Sequence, residues 1–379
     1  MGALRLTLAI AVVLAHVEGS KYMMTGGATS VQSFYIISGF FMAMILDVKY
    51  NHPDQTGLFY SNRLLRIFPL YWLFLVISLV FHGFAQFATH HSIFNNWSQY
   101  LSRMRWEDII FLASSNLFII GQDLVLFMKL GSYGLHWSTS FQTGSPPTPA
   151  FLFLPQAWSL AIELSFYLLA PWILRRRTVL ILSLCLLSVG VRYVLWHAGL
   201  REDPWSYRFF PSELGTFLAG SLAYRLIYLR IKACSVPLVF NVLAFGVFPA
   251  IFLYPFYGGN DPLFFQPQQM LFYLYVAFAV PFLFRLTGRV HFDRRVGELS
   301  FPVYLCHSTI VLALDHFASH LPNVMVRALL AVGLSIALAY FAVIYFDEPL
   351  DQLRQKRIER NRRQRGDVPV APGTVPLAS

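Results

Sequence analysis

Arg5 and His16 stand eleven positions apart in an otherwise apolar run, Leu4–Val17. Eleven positions is about three turns at 3.6 residues per turn, so both side chains leave one helical face, separated by a rise of roughly 16 Å. Lipid is a poor solvent for either group, so the stripe must face protein or a wet cavity. A guanidinium there can hold an anion, and a neutral imidazole can take a proton from a hydroxyl. Arg63 and Arg66 sit three apart, one helical turn on one face. Two forked guanidiniums either anchor a span at the membrane edge or clamp the phosphates of an anionic donor. Glu163, within Ala157–Tyr167, falls at a depth comparable with His16. It is either the structural partner of an arginine or the group that orients His16 as a base. His307, eight residues into Leu299–Phe317, lies near mid-membrane as a packing residue or part of the same chemistry. Arg192, Glu213 and Arg225 complete the set of charges within or at the ends of apolar runs.

The elements that must carry these residues are membrane helices. Of the 379 residues 56% are hydrophobic and only 13% charged, against about 25% charged in an ordinary soluble domain. The net charge of +10 could suit nucleic acid, but the basic residues cluster between apolar runs and near the C-terminus. Positive charge on cytoplasmic loops accounts for that clustering, and no nucleic-acid partner is expected. Cys185, Cys234 and Cys306 are scattered, with neither CxxC nor metal-ligand spacing, so no metal is expected. P-loop, HExxH, GxSxG and EF-hand patterns are absent. The first run also has the shape of a secretory leader, but the residues before Gly19 are His16, Val17 and Glu18, poor cleavage-site residues. It is read as span one.

Counting basic loops as cytoplasmic gives ten spans: 4–17, 30–46, 67–81, 156–174, 179–196, 212–229, 236–257, 269–284, 299–317 and 324–346. The run Ile109–Ile120 is too short to cross and contains Ser114, Ser115 and Asn116, so it is expected as a re-entrant or interfacial segment. Residues 82–108, 197–211 and 258–268 are expected as outer loops, and 121–155 as a long, proline-containing one of functional weight. The expected architecture is therefore an all-α, single-domain integral membrane protein. Residues 1–350 form its membrane domain, and 351–379 a basic cytoplasmic tail: a solvated helix from Arg354 to Arg365, then disorder. Both termini fall on the cytoplasmic side of a bacterial-type inner membrane.

Several segments together resemble membrane acyltransferase family 3, the polysaccharide and O-antigen O-acetyltransferase type, over about residues 4–350. Arg5 and His16 match its Arg-x10-His pattern, Ser38-Gly39-Phe40 its second-helix segment, and Arg63 and Arg66 its Arg-x-x-Arg motif. Trp158-Ser-Leu-x-x-Glu163 with Phe166-Tyr167 matches a fourth segment; Ser300, Tyr304, Leu305 and His307 match a fifth. Each motif is weak alone; five in order are specific. Phe301 replaces the usual tyrosine, and Pro302 after it invites a kink. The resemblance implies transfer of an acetyl or other acyl group from cytoplasmic acyl-CoA to a sugar hydroxyl at the outer face. His16 and Glu163 would be the catalytic pair and Arg5, Arg63 and Arg66 the acyl-CoA-binding set. Ser38, Trp158, Tyr304 and His307 would support them. The chain also ends without the extracytoplasmic hydrolase-like domain carried by some members, which implies a single enzyme domain.

Two other classes compete. A transporter would use the buried Arg, His and Glu as a path, though paired halves of similar hydropathy are not evident. A scaffold for glycan assembly would use them as packing. Acceptor choice is expected to reside in 121–155 and 197–211, with Glu202, Asp203, Trp137, Trp205 and Tyr207 as sugar-facing residues.

Overall fold

The computed structural model describes residues 1–20, 23–90, 92–257, 266–318, 321 and 323–365. The expected loop at 258–265 and the tail at 366–379 lie outside the described residues. The chain opens with α1 (Gly2–His16), α2 (Gly26–Val48) and α3 (Thr56–Thr89). Helix α1 is buried on most sides: Leu4, Leu8 and Val12 enter the main core, while Ala9 and Val13 pack on a second cluster with Val303, Ala328 and Ala331. A helix that packs on two apolar clusters at once belongs inside the fold, with its Arg5 and His16 stripe turned to the interior. Its first N–H groups are capped from elsewhere in the chain. The Asp293 carboxylate accepts from the Gly2 N–H at 2.8 Å and the Ala3 N–H at 2.9 Å, satisfying donors that a helix start leaves open.

Helix α3 is longer than the expected span, about 50 Å at 1.5 Å per residue. It continues to Thr89, into the region read as loop. Beyond it, α4 (Ile93–Tyr100), α5 (Trp106–Phe118), α6 (Gln122–Val125) and the hairpin β1 (Met128–Gly131)–β2 (Gly134–Trp137) build a small unit. The unit has its own core of Met104, Leu112, Val125, Leu130, Leu135, Phe151 and Leu152. The chain is helical as expected, but for one short antiparallel ladder with Met128 opposite Trp137. The long loop is a folded cap rather than irregular chain.

The second half follows with α7 (Trp158–Ile173), α8 (Thr178–His197) and α9 (Phe210–Ala223). Helix α9 passes through a π turn, Tyr224–Tyr228, into α10 (Leu229–Ile231). Then come α11 (Leu238–Phe245), α12 (Val247–Tyr257), α13 (Pro267–Thr287), α14 (His291–Glu298), α15 (Ser300–Phe317), α16 (Val324–Ala342) and α17 (Glu348–Arg365). The break between α14 and α15 falls at Leu299, so Pro302 stands in the first turn of α15, where its missing N–H costs no helical bond.

Among the described residues six segments are long and apolar enough to cross a membrane: Gly26–Val48, Pro53–Thr89, Thr178–His197, Pro267–Thr287, His291–Phe317 and Val324–Asn361. Helices α11 and α12, bent by 47° at their junction, make a seventh if they form one span. Three more of the ten expected runs are helices but short: α1 has 15 residues, α7 has 16 and α9 has 14.

The tightest helix contact joins α2 to α9. A Cβ on Gly39 would fall 1.8 Å from the Phe217 carbonyl oxygen, and one on Gly220 would fall 1.8 Å from that of Ile36. The backbones touch, and only glycine fits. Near this seam Glu213 accepts from Arg192 at 2.5 Å and from Gln32 at 2.8 Å. Two of the expected intramembrane charges are thus partners of each other, a structural pair.

Candidate active site

One end of the bundle carries the start of α1, Arg66 and α17; the other carries His16 and the hairpin cap. At the tail end, Arg66 pairs with Asp347, and Arg357 in α17 donates to Asn62 at 3.0 Å and Ser61 at 2.9 Å. Arg354 is buried and paired with Asp351 at 2.7 Å. The expected solvated tail helix is instead docked on the foot of α3, and it passes residue 350 without a break.

Between α1, α2, α3, α7 and α15 lies a chamber of about 100 Å³, lined by Arg5, Ser38, Arg63, Arg66, Glu163 and Tyr304 among others. The helical face that α1 turns inward brings Arg5 to it, its guanidinium 5.9 Å from the centre of the Phe41 ring. Arg63 and Arg66 arrive from consecutive turns of α3. Both are buried, and among the described residues Arg63 Nε and Arg66 Nη2 have no hydrogen-bond acceptor. A buried guanidinium nitrogen without an acceptor is uncommon and marks a place where an anion can bind. Phe301 meets the Arg66 guanidinium with its ring face, 5.7 Å from guanidinium carbon to ring centre. Opposite the arginines, Glu163 accepts from the Ser38 hydroxyl at 2.6 Å and from the Tyr167 hydroxyl at 2.6 Å.

His16 does not line this chamber. It opens onto a second one, of about 470 Å³, with Gln156, Trp158, Tyr207, Arg208, Tyr304 and Ser308. The expected pairing of Glu163 with His16 is therefore not built. Trp158, at the start of α7, lies at the His16 chamber, and Glu163 is five residues further along, about 7.5 Å deeper toward the tail end. What holds His16 is its own helix: Nδ1 lies 2.8 Å from the Val12 carbonyl. An Nδ1–H donated to that carbonyl leaves the Nε2 lone pair free, the tautomer a base requires. The His307 ring stands edge-on to it, centroids 4.7 Å apart. His307 repeats the pattern, Nδ1 being 2.6 Å from the Tyr304 carbonyl and Nε2 buried with no partner among the described residues.

Tyr304 and Val31 line both chambers. The Tyr304 hydroxyl lies 2.6 Å from Ser159 Oγ and donates to the Gln156 carbonyl at 2.8 Å, which pins the ring at the junction. Trp158 supports Arg208, whose guanidinium lies 4.2 Å from its ring centre and donates to Asp203 at 2.6 Å. Arg208 and Gln156 escaped the sequence reading as site residues, and Ser159 entered it only as part of the Trp158-Ser-Leu motif. No spacing marks Gln156, and Arg208 read as one of several charges in a loop. Of the expected sugar-facing residues, Tyr207 lines the His16 chamber, while Trp205 packs on Phe127 with ring centres 4.9 Å apart.

A family model described as an acyltransferase domain, that of acyltransferase family 3, matches residues 1–344. The chain belongs to this family. It is a membrane acyltransferase. Among curated relatives it is similar to the peptidoglycan O-acetyltransferase OatA of Listeria monocytogenes, 24% identical over 375 residues. That alignment covers 92% of this chain and 54% of the relative, so the chain spans about half of OatA's length. An uncharacterized protein of Aquifex aeolicus is 21% identical over 215 residues, 55% of this chain and 92% of its own. No solved structure matches the chain. In this acyltransferase the family's motif residues divide between the two chambers: arginines and Glu163 on the tail side, His16 and Trp158 on the cap side, with Tyr304 between.

Proposed function

We propose that this acyltransferase moves an acetyl or similar acyl group from acyl-CoA, entering at the tail end, to a carbohydrate hydroxyl presented at the cap end. The observation that carries this is the shared wall. Tyr304 and Val31 border both the arginine-lined chamber and the one that holds His16. The phosphates of CoA would meet Arg63 and Arg66, Arg5 would flank the pantetheine, and the thioester would reach past Tyr304 toward His16. An extended pantetheine is long enough for that rise.

In the reaction His16 Nε2 takes the proton of the acceptor hydroxyl as its oxygen attacks the thioester carbonyl. The new C–O bond forms, the C–S bond breaks, and the CoA thiolate leaves with the proton returned from His16. Glu163, held by Ser38 and Tyr167, serves the donor chamber and not the base. The buried His307 ring fixes the orientation of His16. The name of the Listeria relative supports a glycan acceptor of the cell envelope.

The direction of transfer follows from charge. Arg175 donates to the Tyr50 carbonyl at 3.0 Å and Arg285 to the Ile231 carbonyl at 3.0 Å. With Arg294, Arg295 and α17, these basic groups support a cytoplasmic tail side and an outward-facing cap in a multi-pass inner-membrane protein. Titration of CoA into the purified protein tests the division of labour. Arg63→Ala should weaken binding about tenfold, the loss of one charge-assisted contact, and His16→Ala should leave it unchanged. Equal affinity of Arg63→Ala and the unmodified protein would remove the donor from this chamber.

A further inference from the structure

Beside the His16 chamber lies another cavity, of about 500 Å³, that no step above uses. It is lined by Asp123, Phe127, Trp137, Thr139, Trp205 and Arg208, among others. Arg208 lines both, so one guanidinium forms the partition between them. Each cavity is within the size range of small-ligand pockets. The residues come from both segments at the cap end: α6 and β2 with its following turn supply one wall, the 205–211 stretch the other.

The two walls are locked together. Trp205 Nε1 donates to the Thr139 carbonyl at 2.9 Å, and its ring meets Phe127 edge-on, at 82° between ring planes. Trp137, at the end of β2, is 66% exposed. Its indole face is thus available while its backbone is fixed by the ladder to Met128. The lining is mostly apolar, and Asp123, Ser138, Thr139 and Arg208 are its polar members. Asp203 at 2.6 and 3.0 Å and the Tyr207 hydroxyl at 2.6 Å hold Arg208 by Nε and Nη2. The guanidinium is therefore fixed as a wall. Broad apolar faces edged by hydrogen-bonding groups match a pyranose ring, which has an apolar C–H face and a rim of hydroxyls.

Resting on the acyl-transfer reading above, we infer that this cavity is a second sugar subsite, so that the acceptor is a glycan chain and not a single sugar. One unit of the chain places its hydroxyl at His16. The neighbouring unit lies across Arg208 on Trp137, with Asp123 and Thr139 at its hydroxyls. A neighbouring sugar of the same chain is the occupant, because the cavity shares its Arg208 wall with the chamber that holds His16.

The test uses glycan extracted from cells that carry the protein, intact and after cleavage to single sugar units, with labelled acetyl-CoA and the full-length protein in membranes. The unmodified protein should label the intact glycan with the lower KM. Trp137→Ala should raise that KM roughly five- to tenfold without changing kcat, and should leave transfer to single units as it was. Trp137→Phe, which keeps an aromatic face, should restore most of the difference. A KM for intact glycan unaffected by Trp137→Ala, or raised equally for single units, would overturn the subsite while leaving the acyl-transfer reading intact. A Trp137→Ala effect that follows the lipid composition and not the length of the glycan would assign the cavity to lipid and overturn it too. No label on any glycan with the unmodified protein would overturn both.

Discussion

Arg63 and Glu163 show what a side chain contributes beyond its charge. Arg63 brings a buried Nε with no acceptor among the described residues into the arginine-lined chamber. Lysine keeps the charge but not the fork, so Arg63→Lys should raise the KM for acetyl-CoA about tenfold with little change in kcat. An unchanged KM would make Arg63 a packing residue. Glu163 touches Ser38 and Tyr167 and stands apart from His16. Glu163→Gln should therefore slow transfer without moving the pH dependence that His16 imposes; a shifted pH profile would restore the direct pairing. The chemical types were legible in the sequence because each is expensive in lipid and so conspicuous there. Their partners were not. Apolar runs give only an approximate height in the membrane and say nothing about which neighbour stands opposite, so His16 and Glu163 read as paired although they line different chambers. Arg208 was hidden for a different reason: a charge in a polar loop is ordinary until tertiary packing seats it on Trp158.

Among the elements, the seam between α2 and α9 rests on two glycines. Gly39→Ala would drive a methyl into the Phe217 carbonyl, and overpacking of this kind costs about 1–3 kcal/mol or more. Its melting temperature in detergent should fall clearly. Gly83→Ala in α3 is the control, with nothing within 4 Å of the added Cβ, and it should be neutral or stabilising because alanine is the better helix former. Equal effects at the two sites would contradict close backbone packing at the seam. Gly39 was visible as part of a motif, but its purpose is to admit α9, a long-range contact that a linear pattern cannot express.

The cap carries a pH-sensitive brace. Burial pushes the Asp108 carboxyl up, but hydrogen bonds from Arg105 and the Leu135 backbone outweigh it and hold the group below its ordinary value. The bond it makes is present above the usual carboxylate range, near pH 4, and is lost as the pH falls through the lower folded value. Amide exchange across residues 128–137 should accelerate below about pH 4, and Asp108→Asn should remove that step. The same protection in both proteins at every pH, after correction for intrinsic amide exchange, would contradict the brace. The cap itself was read as loop because its strands have four residues each, too short for an alternating pattern to register. Its prolines and glycines also look the same in a folded cap as in irregular chain.

For the whole molecule, the hydrophobic runs located the helices but not the number that cross. Helix α1 is short and enclosed by others, and a helix shielded from lipid has no need of the full bilayer length; α7 is short although Leu168 and Trp172 on its outer face are exposed. Together with the short α9, these helices carry Arg5, His16, Glu163 and Glu213, so the polar groups are concentrated where protein replaces lipid. The two chambers share Tyr304 and Val31 between the ends of the molecule, the geometry on which the proposed approach of donor and acceptor from opposite sides rests. The most direct measurement is transfer of label from acetyl-CoA to glycan in membranes containing either the unmodified protein or His16→Ala. A catalytic His16 predicts a loss of roughly a hundredfold or more in label, with CoA binding and the amount of folded protein unchanged. Equal labelling by the two proteins would contradict it.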